Sequence, residues 1–347
     1  VDGPLGLHLA RNGYFAATGS EDNLKEVGLN LSSYSSLELS GAGKVGAITG
    51  NGGASTESIV RITQNEQQPG VTEVLGQISG INELFVENET KVSGLIDSNY
   101  GFINHVLTNT GFDSTYDRLD VGSNAVLTTD NLTLTGAPAG MGNYSLINGQ
   151  VKVAEAITLG NANSSTTLAV AGGSVEAQSL VLNNGSVVQV GWEGAESDDV
   201  DTTWIDESKS YSGRMLVQTA DLNGGSIVVD PAAGETAIMG IGKFVGASTS
   251  VATDLGSVDG SLFVGQNSVQ ALGADDWAEI ERAIAPYATN GVLTSYGSLL
   301  YLDGTTKLTS GDGIVMTAQS IKDFTTYVAN ETKLGNLDTD SHTLANT

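Results

Sequence analysis

Short runs of alternating apolar and polar residues, each four or five positions long, recur along this chain and are cut by Gly, Asn, Ser and Asp. Ser36-Leu37-Glu38-Leu39-Ser40, Ala125-Val126-Leu127-Thr128, Leu132-Thr133-Leu134-Thr135, Ser174-Val175-Glu176-Ala177 and Ser186-Val187-Val188-Gln189-Val190 are typical. Period-two alternation presents one apolar face per segment, which is the signature of a half-buried strand. A single run of this length cannot bury its face alone. It must find many partners of the same kind.

The separators repeat a form as well. Gly172-Gly173-Ser174, Asn183-Asn184-Gly185-Ser186, Asn223-Gly224-Gly225-Ser226 and Asp259-Gly260-Ser261 each place a small or amide residue, glycine and serine before a β run. Their final serines stand 12, 40 and 35 residues apart. Gly and Asn accept left-handed backbone, so each motif predicts a sharp corner. Corners separated by short strands predict a solenoid, in which each coil covers its apolar face with the next. The expected fold is therefore all-β, a right-handed parallel β-helix with loop excursions and one short helix. Asn-Gly pairs at Asn51-Gly52, Asn148-Gly149 and Asn290-Gly291 also suit hairpins, so a multi-sheet sandwich or β-roll stands as the alternative.

Two segments break the rhythm. Asp275 to Pro286 reads as a helical excursion: Trp277, Ile280 and Ile284 share a face, Asp276 and Glu279 have capping-box spacing, and Pro286 ends the run. It is expected to pack outside the coil. Gly191 to Gly213 has no strand period and places seven carboxylates between Glu193 and Glu207. It reads as a projecting acidic loop, with Trp192, Glu193, Asp198, Asp199, Asp201, Trp204 and Asp206 as the candidate binding residues. Asp198, Asp199 and Asp201 carry the hard oxygens that suit calcium, although no EF-hand pattern is present. The plainer expectation is a solvated acidic loop without a ligand or cofactor. Val71 to Gly80 and the aromatic stretch Ile96 to Asp117 are weaker loop candidates. Residues 1–35 read as an N-terminal cap, with its first six residues partly a cloning remnant, and residues 36–347 as one β-helix.

Composition excludes several functions. With 40 acidic against 14 basic residues the formal charge is −26, which repels nucleic acid. There is no cysteine, so thiol catalysis and disulfide frameworks are out. His8, His105 and His342 lie near no Gly-x-Ser-x-Gly elbow, which argues against a serine triad and for packing or surface roles. Glycine clusters precede strands, not helices, so they are not phosphate loops. No stretch approaches the roughly 18 apolar residues of a spanning helix, and no membrane contact is expected. Paired carboxylates such as Asp198 with Asp199, or Asp206 with Glu207, are the remaining chemistry; held about 5–10 Å apart they suit a glycosidase.

Residues Ile157 to Ala162, Leu168 to Val175 and Ser179 to Gly191 resemble the passenger domain of bacterial autotransporters. Gly260 to Ser268, followed by Trp277-Ala278, is similar to passenger segments nearer the membrane anchor. The resemblance spans roughly residues 120–310 and rests on rhythm and composition. It implies a right-handed β-helix on the outer surface of a Gram-negative cell, or secreted from it. The implied role is adhesion or self-association in biofilm and virulence, through host or bacterial surface glycans or matrix proteins. No protease or lipase motif of the kind some members carry is present, and no translocator barrel follows, so a passenger fragment is expected. A β-helical polysaccharide depolymerase or lyase using paired carboxylates is the alternative function.

Overall fold

The computed structural model describes residues 6–9, 14–18, 28–50, 58–66, 69–114, 118–138, 144–192, 205, 209, 211, 213–229, 236–246, 261–266, 300–301 and 314–316. The chain divides into two compact units, Val1–Ala154 and Glu155–Thr347. Among the described residues every regular element is a strand. The helical excursion at 275–286 lies outside them.

In the first unit the strands form three runs of parallel pairing. One run stacks strands Gly28–Leu31, Ile48–Thr49 and Ile78–Val86, then Leu95–Ile103, Val106–Ser114 and Val126–Leu134. Leu29, Ile48, Ile78, Ile96, Phe112 and Leu132 follow one another in register along it. The second run carries Leu39, Ile62, Val86, Ile103, Val121 and Ile147 in the same way. The third carries Val45, Val74 and Val92, with Thr72, Thr90, Leu107 and Leu127 beside them. All these side chains are buried.

The long strands take part in more than one run. Leu95–Ile103 pairs through Ile96 in the first and through Ile103 in the second. Parallel partners some 16 to 30 residues apart require the chain to travel round and return at the same end each time. This is a β-solenoid-like arrangement. It displaces the sandwich alternative, whose sheets are antiparallel. Each apolar ladder column buries side chains of about 1.5–3 kcal/mol apiece, so stacking, not any single strand, supplies the stability.

Polar groups inside this unit are placed at the turns between runs. Asn88 donates from Nδ2 to the Gly70 carbonyl at 2.9 Å and to Thr72 Oγ1 at 3.2 Å, and Thr72 Oγ1 donates to the Gly41 carbonyl at 2.8 Å. These bonds satisfy backbone carbonyls that a corner takes out of the ladder.

The second unit repeats the principle. Thr167–Val170, Val187–Val190 and Ser226–Val229 stack in parallel, bringing Leu168, Val188 and Ile227 into line. Ser174–Leu182, Gly213–Asp221 and Thr236–Phe244 align Val175, Met215 and Met239. The corner motif read from sequence is present here. Asn184 has φ +37° and Gly185 φ +79°. Asn183 Nδ2 donates to the Gly160 carbonyl at 3.1 Å, and Asn223 Nδ2 donates to Asn183 Oδ1 at 3.0 Å, so amides of successive corners bond to one another. Two pairings depart from the parallel rule: Ser261–Gln266 lies antiparallel on Thr236–Phe244, and Ile314–Met316 antiparallel on Ser226–Val229.

The stretch Ile96 to Asp117 is not a loop. Leu95–Ile103 and Val106–Ser114 are nine-residue strands. Its aromatic enrichment has a packing cause, because Phe102 and Phe112 are buried. Val71 to Gly80 likewise contains strand Thr72–Val74 and the start of Ile78–Val86.

Candidate functional site

Strand alternation sends Leu84, Gly101 and Leu119 inward on the second run of the first unit and leaves their neighbours on the outer face. That face carries Arg61, Phe85, Tyr100, Phe102, Arg118, Asp120 and Tyr144 on five successive strands. Arg61 pairs in register with Phe85, Phe85 with Phe102, and Phe102 with Asp120; Tyr100 pairs with Arg118 in the adjoining row.

The contacts are close and directional. The Arg61 guanidinium stands 4.0 Å over the Phe85 ring centroid. Phe85 meets Tyr100 edge-on, with centroids 5.9 Å apart and planes at 81°, and meets Phe102 at 6.4 Å. The Arg118 guanidinium lies 5.0 Å from the Tyr144 ring and 6.0 Å from that of Tyr100. Edge-to-face rings and guanidinium over a ring face are each favourable by about 0.5–1.5 kcal/mol beyond area burial.

Asp120 anchors this face from beneath. Its carboxylate is fully buried, while the Arg118 side chain is 20% exposed. Asp120 Oδ2 accepts from Arg118 Nε at 2.8 Å, from Arg118 Nη2 at 2.5 Å and from the Tyr100 hydroxyl at 3.3 Å. Its other oxygen accepts the backbone N–H of Leu146 at 3.1 Å, and Ser145 Oγ accepts that of Leu119 at 2.8 Å. Side chains thus take the place of backbone acceptors where strand Arg118–Val121 meets strand Tyr144–Ile147. Burial pushes the Asp120 carboxyl up, against the opposing pull of Arg118. Burial, and then the Asp120 charge, push the Tyr100 phenol well above its ordinary range.

A second cluster lies on the outer face of the first run. Asp97 and Asp113 are register partners on adjacent strands. Asp97 Oδ2 accepts the Gly80 N–H at 3.4 Å, whereas Asp113 Oδ1 is shut off from solvent without a hydrogen-bond partner. Burial, and then the Asp97 charge, push the Asp113 carboxyl up.

Of the residues singled out in the acidic loop, only Trp192 is described. It is half-buried and forms an antiparallel bridge with Tyr211, donating from its N–H to the Tyr211 carbonyl at 3.0 Å and accepting the Tyr211 N–H at 2.8 Å. This pair closes the neck of the loop. Glu193, Asp198, Asp199, Asp201, Trp204 and Asp206 lie outside the described residues. Ile205 is buried and Lys209 exposed. His105 has a local role, its Nδ1 accepting the N–H of Val106 at 2.8 Å; the side chain of His8 and all of His342 lie outside the described residues. Among the described residues no three His, Cys, Asp or Glu side chains converge as a metal site.

Sequence reasoning missed the residues that the fold brings together. Tyr100, Arg118 and Tyr144 are far apart in the chain, and only the coil register makes them neighbours. The 16-residue step from Asp97 to Asp113, equal to that from Ile96 to Phe112, was the available signal. No family model, curated protein or solved structure matches this chain.

Proposed function

We propose that this chain is a non-enzymatic binding module of the autotransporter-passenger type. In this reading it is a right-handed parallel β-helix at, or secreted from, a Gram-negative cell surface. It holds host or neighbouring-cell glycans or matrix proteins through the outer face that carries Arg61, Tyr100, Arg118 and Tyr144. The supporting observation is that guanidinium and phenol groups recur on five consecutive strands of one face, already locked by cross-strand contacts. Preorganised flat side chains lose little freedom on binding, and aromatic and Arg groups dominate recognition surfaces. Repetition along a solenoid lets weak contacts add by multivalency.

A glycan and matrix-protein binding screen tests this, with Arg61→Ala as the comparison because that side chain lies over a ring and outside the Asp120 network. The expected result is at least tenfold weaker binding with an unchanged circular dichroism spectrum. Equal binding by both proteins rejects the face, and concentration-dependent sedimentation without any other ligand points to self-association instead.

A polysaccharide depolymerase is the second proposal, favoured by the Asp97–Asp113 pair. Adjacent strands are about 4.8 Å apart, near the ~5–5.5 Å of carboxyls in retaining glycosidases. Release of reducing ends from a polysaccharide, lost in Asp97→Asn, would support it over the first.

A further inference from the structure

Asp97 and Asp113 stand side by side on consecutive coils, outside the aromatic face and independent of either function above. Ile96 and Phe112 point inward, so strand alternation turns their neighbours Asp97 and Asp113 to the same outer surface. Two like charges directly opposite on neighbouring strands destabilise the pair. Three further facts set this pair apart from two solvated acids. Asp113 Oδ1 has neither solvent nor a hydrogen-bond donor. Asp97 Oδ2 is engaged by the Gly80 N–H on the strand beyond. The remaining neighbours supply no compensating cation among the described residues: strand Val126–Leu134 places Thr133 opposite Asp113 and Asn131 opposite Gly111. The nearest further acid on that strand, Asp130, is exposed at the preceding corner. Asp117 lies outside the described residues.

A buried oxygen without a donor beside a second carboxylate is costly when both are ionised. One proton removes both faults. It cancels one charge and turns one oxygen into a donor for the other carboxyl, as in other carboxyl pairs that share a site. We propose that Asp97 and Asp113 form a proton-operated clasp. In mildly acidic solution a single shared proton ties strand Leu95–Ile103 to strand Val106–Ser114. At neutral pH its loss leaves two like charges facing each other and loosens that rung of the solenoid.

The sign follows from the proton's preference for the folded chain. Burial and Asp97 raise the Asp113 carboxyl above its ordinary 3.8. The unfolded chain therefore ionises first as pH rises, and stability falls from that range upward until the folded carboxyl has also ionised. The net charge of −26 adds a general loss of stability in the same direction. Only a comparison with a variant lacking the pair isolates the clasp.

The experiment follows the intact protein from pH 4 to pH 7.5 in two ways, each with calcium and with a chelator. The first is the carboxyl carbon resonance of Asp113 in the wild type, which needs no variant to fold. The second is the thermal midpoint of wild type and of Asp113→Asn. The expected results are an Asp113 titration well above that of an exposed aspartate, and a wild-type midpoint that falls by several degrees more than that of the variant. An Asp113 titration near 4, or parallel midpoints at every pH, overturns the clasp. So does a calcium-dependent rise in the wild-type midpoint that the variant lacks, because the pair would then be holding a cation in place of a proton.

Discussion

Phe112 fills the space that Gly101 leaves open. A Cβ built on Gly101 would lie 2.5 Å from Phe112 Cζ and 3.2 Å from Leu119 Cδ1. Gly101 stands between Leu84 and Leu119 in an otherwise aliphatic inward column, and Phe112 reaches it from the run next to it, one coil later. The large residue and the absent side chain are one packing unit. Gly101→Ala is expected to cost about 1–3 kcal/mol through overpacking. Phe112→Leu alone is expected to be destabilising as well. Together they should cost less than the sum, since the smaller residue makes room for the new methyl. Urea unfolding of the four proteins in this cycle measures the coupling, and simple additivity rejects the pairing.

The Arg118–Asp120 pair makes an unequal prediction for its two members. Asp120 is fully buried and carries four accepted hydrogen bonds, so Asp120→Ala strands Arg118 Nε, the Tyr100 hydroxyl and the Leu146 N–H together. Removal of one partner from a buried ion pair costs about 3–5 kcal/mol. Arg118→Ala leaves the buried carboxylate with two donors, and protonation of Asp120 relieves part of the damage. Arg118→Ala should therefore regain stability as pH is lowered toward 4, whereas Asp120→Ala should not. Denaturant midpoints at pH 4.5 and pH 7 distinguish the two.

Tyr100 gives an alkaline signature. The folded state holds its phenolic proton far more tightly than the unfolded chain, which ionises near the ordinary 10.0. This contribution to stability is complete below that pH and falls as pH climbs above it. The ultraviolet titration of the chain's 10 tyrosines should leave one phenol unionised until the protein unfolds. Tyr100→Phe should remove that late component and cost about 0.5–1.5 kcal/mol for the lost bond to Asp120.

Much of the strand pattern was legible in the sequence because alternation reports burial directly. Ser36–Ser40, Val126–Leu134 and Ser174–Leu182 are strands whose alternate residues are buried, as their spelling suggests. The Asn-Asn-Gly-Ser corner was legible for a related reason: its glycine and Asn184 take the left-handed backbone that few residues accept. Leu95 to Ser114 was misread as a loop because Gly101 and Gly111 look like breakers. In the fold Gly101 accommodates Phe112, and Gly111 lies under Leu95. The outer-face cluster was not legible, because it depends on which residue of one coil stands above which residue of the next. That register is a property of stacked corners, not of any single segment.

Register itself is open to a direct test at two adjacent residues. Leu95 and Ile96 are both large and aliphatic, but Leu95 is 43% exposed and Ile96 fully buried. A slip of one residue would exchange their environments along the whole strand. Ile96 belongs to the column running from Ile78 to Phe112, and its truncation opens a cavity with neighbours above and below that cannot both close in. Ile96→Ala is expected to cost about 2–5 kcal/mol. Leu95 rests on the face of Gly111 in solvent, and Leu95→Ala should stay within roughly 0.5 kcal/mol of wild type. Urea denaturation of the two single variants reads this difference. Equal losses, or the reverse order, would show that the strand does not pair as Ile78↔Ile96↔Phe112, and would dissolve the Asp97–Asp113 and Tyr100–Arg118 neighbourhoods with it.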